Sequence, residues 1–157
     1  MYDTRPAALL PFPLLMPLVP ASQTADGDWL AKGVRGYIAG DYAEAARCFG
    51  QALAEGAAGP ALWLNLGLSH FQLANHVEAA RAFKQLQGHD GWQAYGSYYQ
   101  GWVAEACGRN NEALRRYRQA AGFAYQPSLL KSALERLTAL GGAPVRVPRA
   151  EPLSGAA

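Results

Sequence analysis

Shifted by thirty-four residues, the sequence falls into register with itself, and this threefold repetition limits the fold more than any other feature. Trp29 aligns with Trp63, Gly33 with Gly67 and Gly101, Ala45 with Ala79 and Ala113, and Phe49 with Phe83 and Tyr117. Ala52 meets Leu86 and Ala120, and the breakers Gly40, Ala74 and Gly108 coincide without any insertion. Each copy reads as two short helices joined at the Gly40-Asp41, Ala74-Asn75 and Gly108-Arg109 turns. Glycine inside a helix costs about 1 kcal/mol against alanine, so its recurrence at one register implies a packing purpose. Gly33, Gly67 and Gly101 on the first helices, with Ala45, Ala79 and Ala113 on the second, let two backbones approach. The larger Trp29, Trp63, Phe49, Phe83 and Tyr117 are expected to fill the space beside that contact.

An aromatic residue, glycine four later, alanine twelve after that and an aromatic four on (Trp63, Gly67, Ala79, Phe83) resembles the tetratricopeptide repeat family over roughly residues 26–122. The resemblance implies an all-α fold, a right-handed superhelical solenoid of helix-turn-helix repeats. Two departures, Ser97 in place of the leading Trp and Lys32 in place of an apolar residue, predict ragged packing at the ends of the stack.

The predicted helix pairs are 27–39 with 42–55, 60–73 with 76–87, and 92–107 with 110–122. Thr24 or Asp26 is the expected cap of the first helix, and Pro60 suits a first turn. A seventh helix over 127–140 carries Leu129, Leu130, Ala133, Leu134, Leu137 and Leu140 on one face. Lys131, Glu135 and Arg136 take the other, so it reads as a cap, apolar inside and polar outside. Together 26–140 form one repeat domain, followed by a Pro-, Gly- and Ala-rich tail, 141–157, expected to be disordered.

Residues 1–25 are of another kind. Between Pro6 and Pro20 the chain is almost wholly apolar, too short for a membrane span, and its five prolines forbid a continuous helix. An extended, polyproline-like segment is expected. It reads either as a secretory signal, with Val19-Pro20-Ala21 as a small-residue cleavage site, or as a retained apolar strap. The first places the protein in the periplasm; otherwise the cytoplasm is favoured. The alanine, glycine and arginine content fits a bacterial source.

Composition argues against several function classes. A net charge of +2 over 157 residues gives no footprint for nucleic acid, and Arg115, Arg116 and Arg118 point in different directions on a helix. No two of His70, His76 and His89 have zinc-ligand spacing, and Cys48 and Cys107 form no metal motif. Glu44, Glu78 and Glu112 recur at the start of second helices, where they favour the positive helix end. Neither catalysis nor a cofactor is expected, unless a deep polar pocket forms around His70 and Glu105.

The resemblance directs attention to the inner wall, where first helices line a concave groove that receives peptides or partner helices. Carried over residue by residue, the wall comprises Leu30, Val34 and Tyr37; Leu64, Leu68 and Phe71; and Tyr95, Tyr98 and Trp102, with Glu105 near the edge. These would be core residues in an ordinary helix, but Trp63, Leu66, Gly33 and Gly67 already occupy the core-facing arc, so something is expected to cover the wall. The family's carboxylate clamp for chaperone C-termini does not carry over. Its positions hold Leu30, Val34, Asn65, Tyr95 and Tyr99, and only Asn65 matches. Tyrosine cannot replace a charged bidentate donor. Asn65 is left to bond a bound backbone or to serve as a structural amide.

The expected function is therefore protein–protein interaction: an adaptor or scaffold that holds an apolar extended or helical segment. A chaperone for a secreted or membrane-assembled subunit is the alternative. Extended proline-rich chain docks on aromatic grooves with little ordering entropy to lose, so residues 6–20 are themselves a candidate occupant, in the same molecule or a neighbour.

Overall fold

The computed structural model describes residues 28–143. The expectations for the segment 1–25, for self-association through 6–20 and for the tail beyond Ala143 lie outside the described residues. Within them the chain folds into seven α-helices and contains no strand. They are α1 (Trp29–Ile38), α2 (Tyr42–Ala54), α3 (Pro60–Gln72), α4 (His76–Gln85), α5 (Gln93–Ala106), α6 (Asn110–Phe123) and α7 (Pro127–Ala139), with a 3-10 turn at Leu86–Gly88.

Local chemistry sets the helix starts. The Asp28 carboxylate accepts from the Ala31 N–H at 3.1 Å, and Asp41 accepts from Glu44 at 3.0 Å. Asp28 therefore caps α1, in place of the Thr24 or Asp26 expected, and the helix starts two residues late. Pro60 and Pro127 open α3 and α7, where a missing N–H costs nothing. Trp92 precedes α5 instead of entering it, and α4 stops at Gln85 because residues 86–88 tighten into the 3-10 turn.

The ends share one device. The N–H groups of Gly40 and Asp41 bond the carbonyls of Tyr37 and Gly36, and Ala74-Asn75, Gly108-Arg109 and Gly141-Gly142 repeat the pattern. Each first residue has a left-handed backbone, with φ of 80°, 59°, 72° and 72° at Gly40, Ala74, Gly108 and Gly141. Such a turn satisfies the last carbonyls and folds the chain back on its helix.

Packing follows chain order. α1 lies on α2, α3 on α4 and α5 on α6, while α2, α4 and α6 each pack on the helix that follows. Inside each hairpin one contact recurs. A Cβ added to Gly33 would lie 2.6 Å from the Phe49 ring, one on Gly67 2.5 Å from Phe83, and one on Gly101 2.7 Å from Tyr117. The rings thus sit on the glycines themselves, not beside them, and all three are fully buried. Trp29 and Trp63 are only partly buried against the core.

The two departures from the repeat are accommodated without loose packing. Ser97 is fully buried, and the Gln87 amide reaches its hydroxyl at 3.5 Å and the Gln100 carbonyl at 3.2 Å. Lys32 lies 4.9 Å above the Trp29 ring, and Arg47 also approaches that ring. The ragged ends expected from the sequence are not observed at these positions.

Candidate functional site

The first helices α1, α3 and α5 carry all ten candidate wall residues. Val34, Tyr37, Leu64, Asn65, Leu68, Tyr95 and Tyr98 are buried; Leu30, Phe71 and Trp102 are half-buried. Burial goes furthest on α3 and α5, where Leu64 and Leu68 are only 2% and 3% exposed. On α5 the run Ala94–Gly101 is buried without interruption. Contact between hairpins is aromatic. Phe71 of α3 stacks on Trp102 of α5 with ring centres 5.3 Å apart and planes 26° apart. Trp102 then meets Tyr99 edge-on at 5.5 Å, and Tyr98 meets Tyr117 of α6 at 5.5 Å. One face of both Phe71 and Trp102 is consumed by this stack. Phe71 also meets His76 of α4 edge-on at 5.8 Å, and what stays accessible of both rings, with the half-buried Leu30 of α1, is what the wall presents.

The wall is nearly uncharged. Burial pushes the Tyr98 phenol up to about 12, holds Tyr95 above its ordinary value, and raises Tyr99 further. The Tyr95 hydroxyl bonds Gln126, which ties α5 to the start of α7. At the edge, Glu105 is fully engaged. It accepts from the Tyr117 hydroxyl at 2.7 Å and from Arg136 of α7 at 2.6 Å. Burial, with the carboxylate beside it, raises the Tyr117 phenol above its ordinary value.

His70 is part-buried on α3. Burial lowers its pKa, and the charge that opposes the shift is Glu78 of α4, not Glu105. Glu105 is instead bonded to Tyr117 and Arg136, and among the described residues no hydrogen bond joins it to His70. Cys48 is buried with its thiol 3.4 Å from Glu44 Oε1, and burial pushes the thiol up. Cys107 is exposed, and both cysteines are free. Glu44 itself is held at about 2, chiefly by its hydrogen bonds from Arg47 and then from Cys48. Among the described residues no three His, Cys, Asp or Glu side chains gather in a metal-ligating arrangement, and no helix is long and apolar enough to cross a membrane.

Two features escaped the sequence reading. Arg136, placed there on the solvent face of α7, turns inward to Glu105. The apolar face of α7 is also split: Leu129, Ala133 and Leu137 are buried, whereas Leu130 and Leu134 line an open concavity of about 670 Å³. The only prior signal was Tyr117, whose hydroxyl distinguishes it from Phe49 and Phe83 at the same register and therefore demanded a partner. Comparison with protein-family models and with curated proteins finds no match to this chain.

Proposed function

We propose that the chain is a tetratricopeptide-like interaction module, a right-handed superhelical solenoid of three hairpins and a capping helix. It acts as an adaptor or scaffold, holding an apolar extended or helical segment against its first helices. One observation carries the reading: the stacked pair Phe71 and Trp102 bridges two hairpins yet stays half-buried, leaving an aromatic, uncharged strip for a ligand. Aromatic rings with two rotatable bonds supply large contact area at small entropic cost, which suits a strip of this kind to proline-rich chain.

Residues 6–20, with Leu9, Leu10, Phe12, Leu14, Leu15 and Leu18, have the matching chemistry and serve as the probe. Deleting residues 1–22 is expected to raise dye binding, and a synthetic 6–20 peptide to suppress it while shifting tryptophan emission. Trp102→Ala weakens the peptide about tenfold, roughly 1.4 kcal/mol. Val77→Ala, on the exposed side of α4, leaves it unchanged. A shortened chain that binds neither dye nor peptide would refute the reading.

A further inference from the structure

We infer that α7 pairs with the α7 of a second copy of this chain, antiparallel about a two-fold axis, each supplying the helix that the other lacks. The surface is separate from the wall of α1, α3 and α5. Each of those first helices carries a second helix against it, α2 on α1, α4 on α3 and α6 on α5. α7 packs on α6 as α3 packs on α2 and α5 on α4, and no helix follows it among the described residues. Glu135 comes thirty-four residues after Gly101, on which the Tyr117 ring of α6 sits. It therefore marks the side of α7 where a second helix would pack. That side is an open concavity of about 670 Å³ lined by Pro127, Leu130, Lys131, Leu134, Glu135 and Ala139.

The pattern of this face names its occupant, because the face complements itself. Leu130 and Leu134 lie one turn apart, and Lys131 and Glu135 run beside them at the same spacing. With the axis at the level of residue 133, Lys131 of either copy faces Glu135 of the other, and Pro127 faces Ala139. The four leucines then alternate along the seam in steps of about 3 Å, ridge into groove, at the rise of about 1.5 Å per residue. A parallel pair would instead set Lys131 against Lys131 and Glu135 against Glu135, which like charges oppose.

Both charges are available for exchange. Within one copy Lys131 and Glu135 stand 3.8 Å apart, with side chains 77% and 63% exposed, so their present contact is weak. Glu135 also acts on the buried Tyr98 phenol, as Glu105 and Arg136 do, and its carboxylate stays accessible while doing so. The thirteen residues of α7 span about 20 Å, and one pair of such helices makes a small interface. The association is accordingly reversible, with a Kd between about 10 µM and 1 mM.

Sedimentation equilibrium of the full chain up to about 1 mM should show monomers passing to dimers and no larger species. Lys131→Glu and Glu135→Lys should each weaken dimerisation about tenfold, because the symmetry applies each repulsion twice. An equal mixture of the two variants should regain the parent's dimerisation, since opposite charges again meet between unlike chains. Both charges reversed on one chain should regain it too. Helix content by circular dichroism should match the parent throughout, both positions being exposed. A monomer at every concentration, as a face covered within its own molecule would give, overturns the inference. So does a dimer indifferent to both substitutions, as association through another surface would give, and so does a mixture that stays as weak as its components.

Discussion

The second and third hairpins use the same steric contact and finish it differently. In α3–α4 the Phe83 ring covers Gly67 and stacks on Tyr99 of α5, with ring centres 5.0 Å apart. In α5–α6 the Tyr117 ring covers Gly101 in the same way, and its hydroxyl then reaches Glu105, which also holds Arg136 of α7. Ring on glycine joins two helices within both units; the helix beyond is reached by ring stacking in the second hairpin and through the added oxygen in the third. A buried hydroxyl without a partner costs free energy, so the substitution makes sense only beside Glu105.

The largest expected effect tests the shared part. Phe83→Ala should cost about 3–5 kcal/mol in urea denaturation, through lost burial and a cavity between α3 and α4. Tyr117→Ala should cost at least as much, and a smaller loss would break the comparison. Next come the glycines. Gly67→Ala and Gly101→Ala each gain about 1 kcal/mol of helix propensity but force a rigid, fully buried ring to shift, for a net loss of about 1–2 kcal/mol. The two losses should agree, and Phe83→Leu should recover part of the first.

Removing the oxygen isolates the unshared part. Tyr117→Phe should cost about 1 kcal/mol and raise hydrogen exchange in α7, while Phe83→Tyr brings no gain. The smallest effects are in pH. Tyr98, of the third hairpin, has a folded pKa raised to about 12 by burial. Its contribution is complete below the unfolded value near 10 and disappears as pH rises towards 12, so Tyr98→Phe should flatten the alkaline melting profile. His70, of the second hairpin, has a folded pKa lowered by burial. Its contribution is present above the unfolded value near 6.5 and is lost as pH falls, so His70→Phe should soften the acid limb.

The sequence carried the within-unit geometry because that geometry repeats. Gly33, Gly67 and Gly101 announce a close approach at fixed spacing from Phe49, Phe83 and Tyr117, and the turns recur with them. Contacts between units leave a fainter trace. The stacking of Phe71 on Trp102 depends on the angle between hairpins, which no single periodicity encodes. Arg136 misled for a related reason. Its charge suggested solvent, while its partner Glu105 lies thirty-one residues away on another helix. Capping was misplaced by a nearer rival, since Asp28 stands directly before α1 and needs no linker to reach the Ala31 amide. The wall residues were legible as a set because they share a register. Their depth was not, because apolar pattern marks which side faces inward but not how much of each ring a neighbour consumes.

Ala74 takes a φ of 59° where the other hairpin turns use glycine, and a side chain in that conformation costs roughly 1–2 kcal/mol. The copy whose sequence best defines the repeat is therefore the one least able to close by itself. Cut out as an isolated fragment, α3–α4 would open at its corner before either companion did.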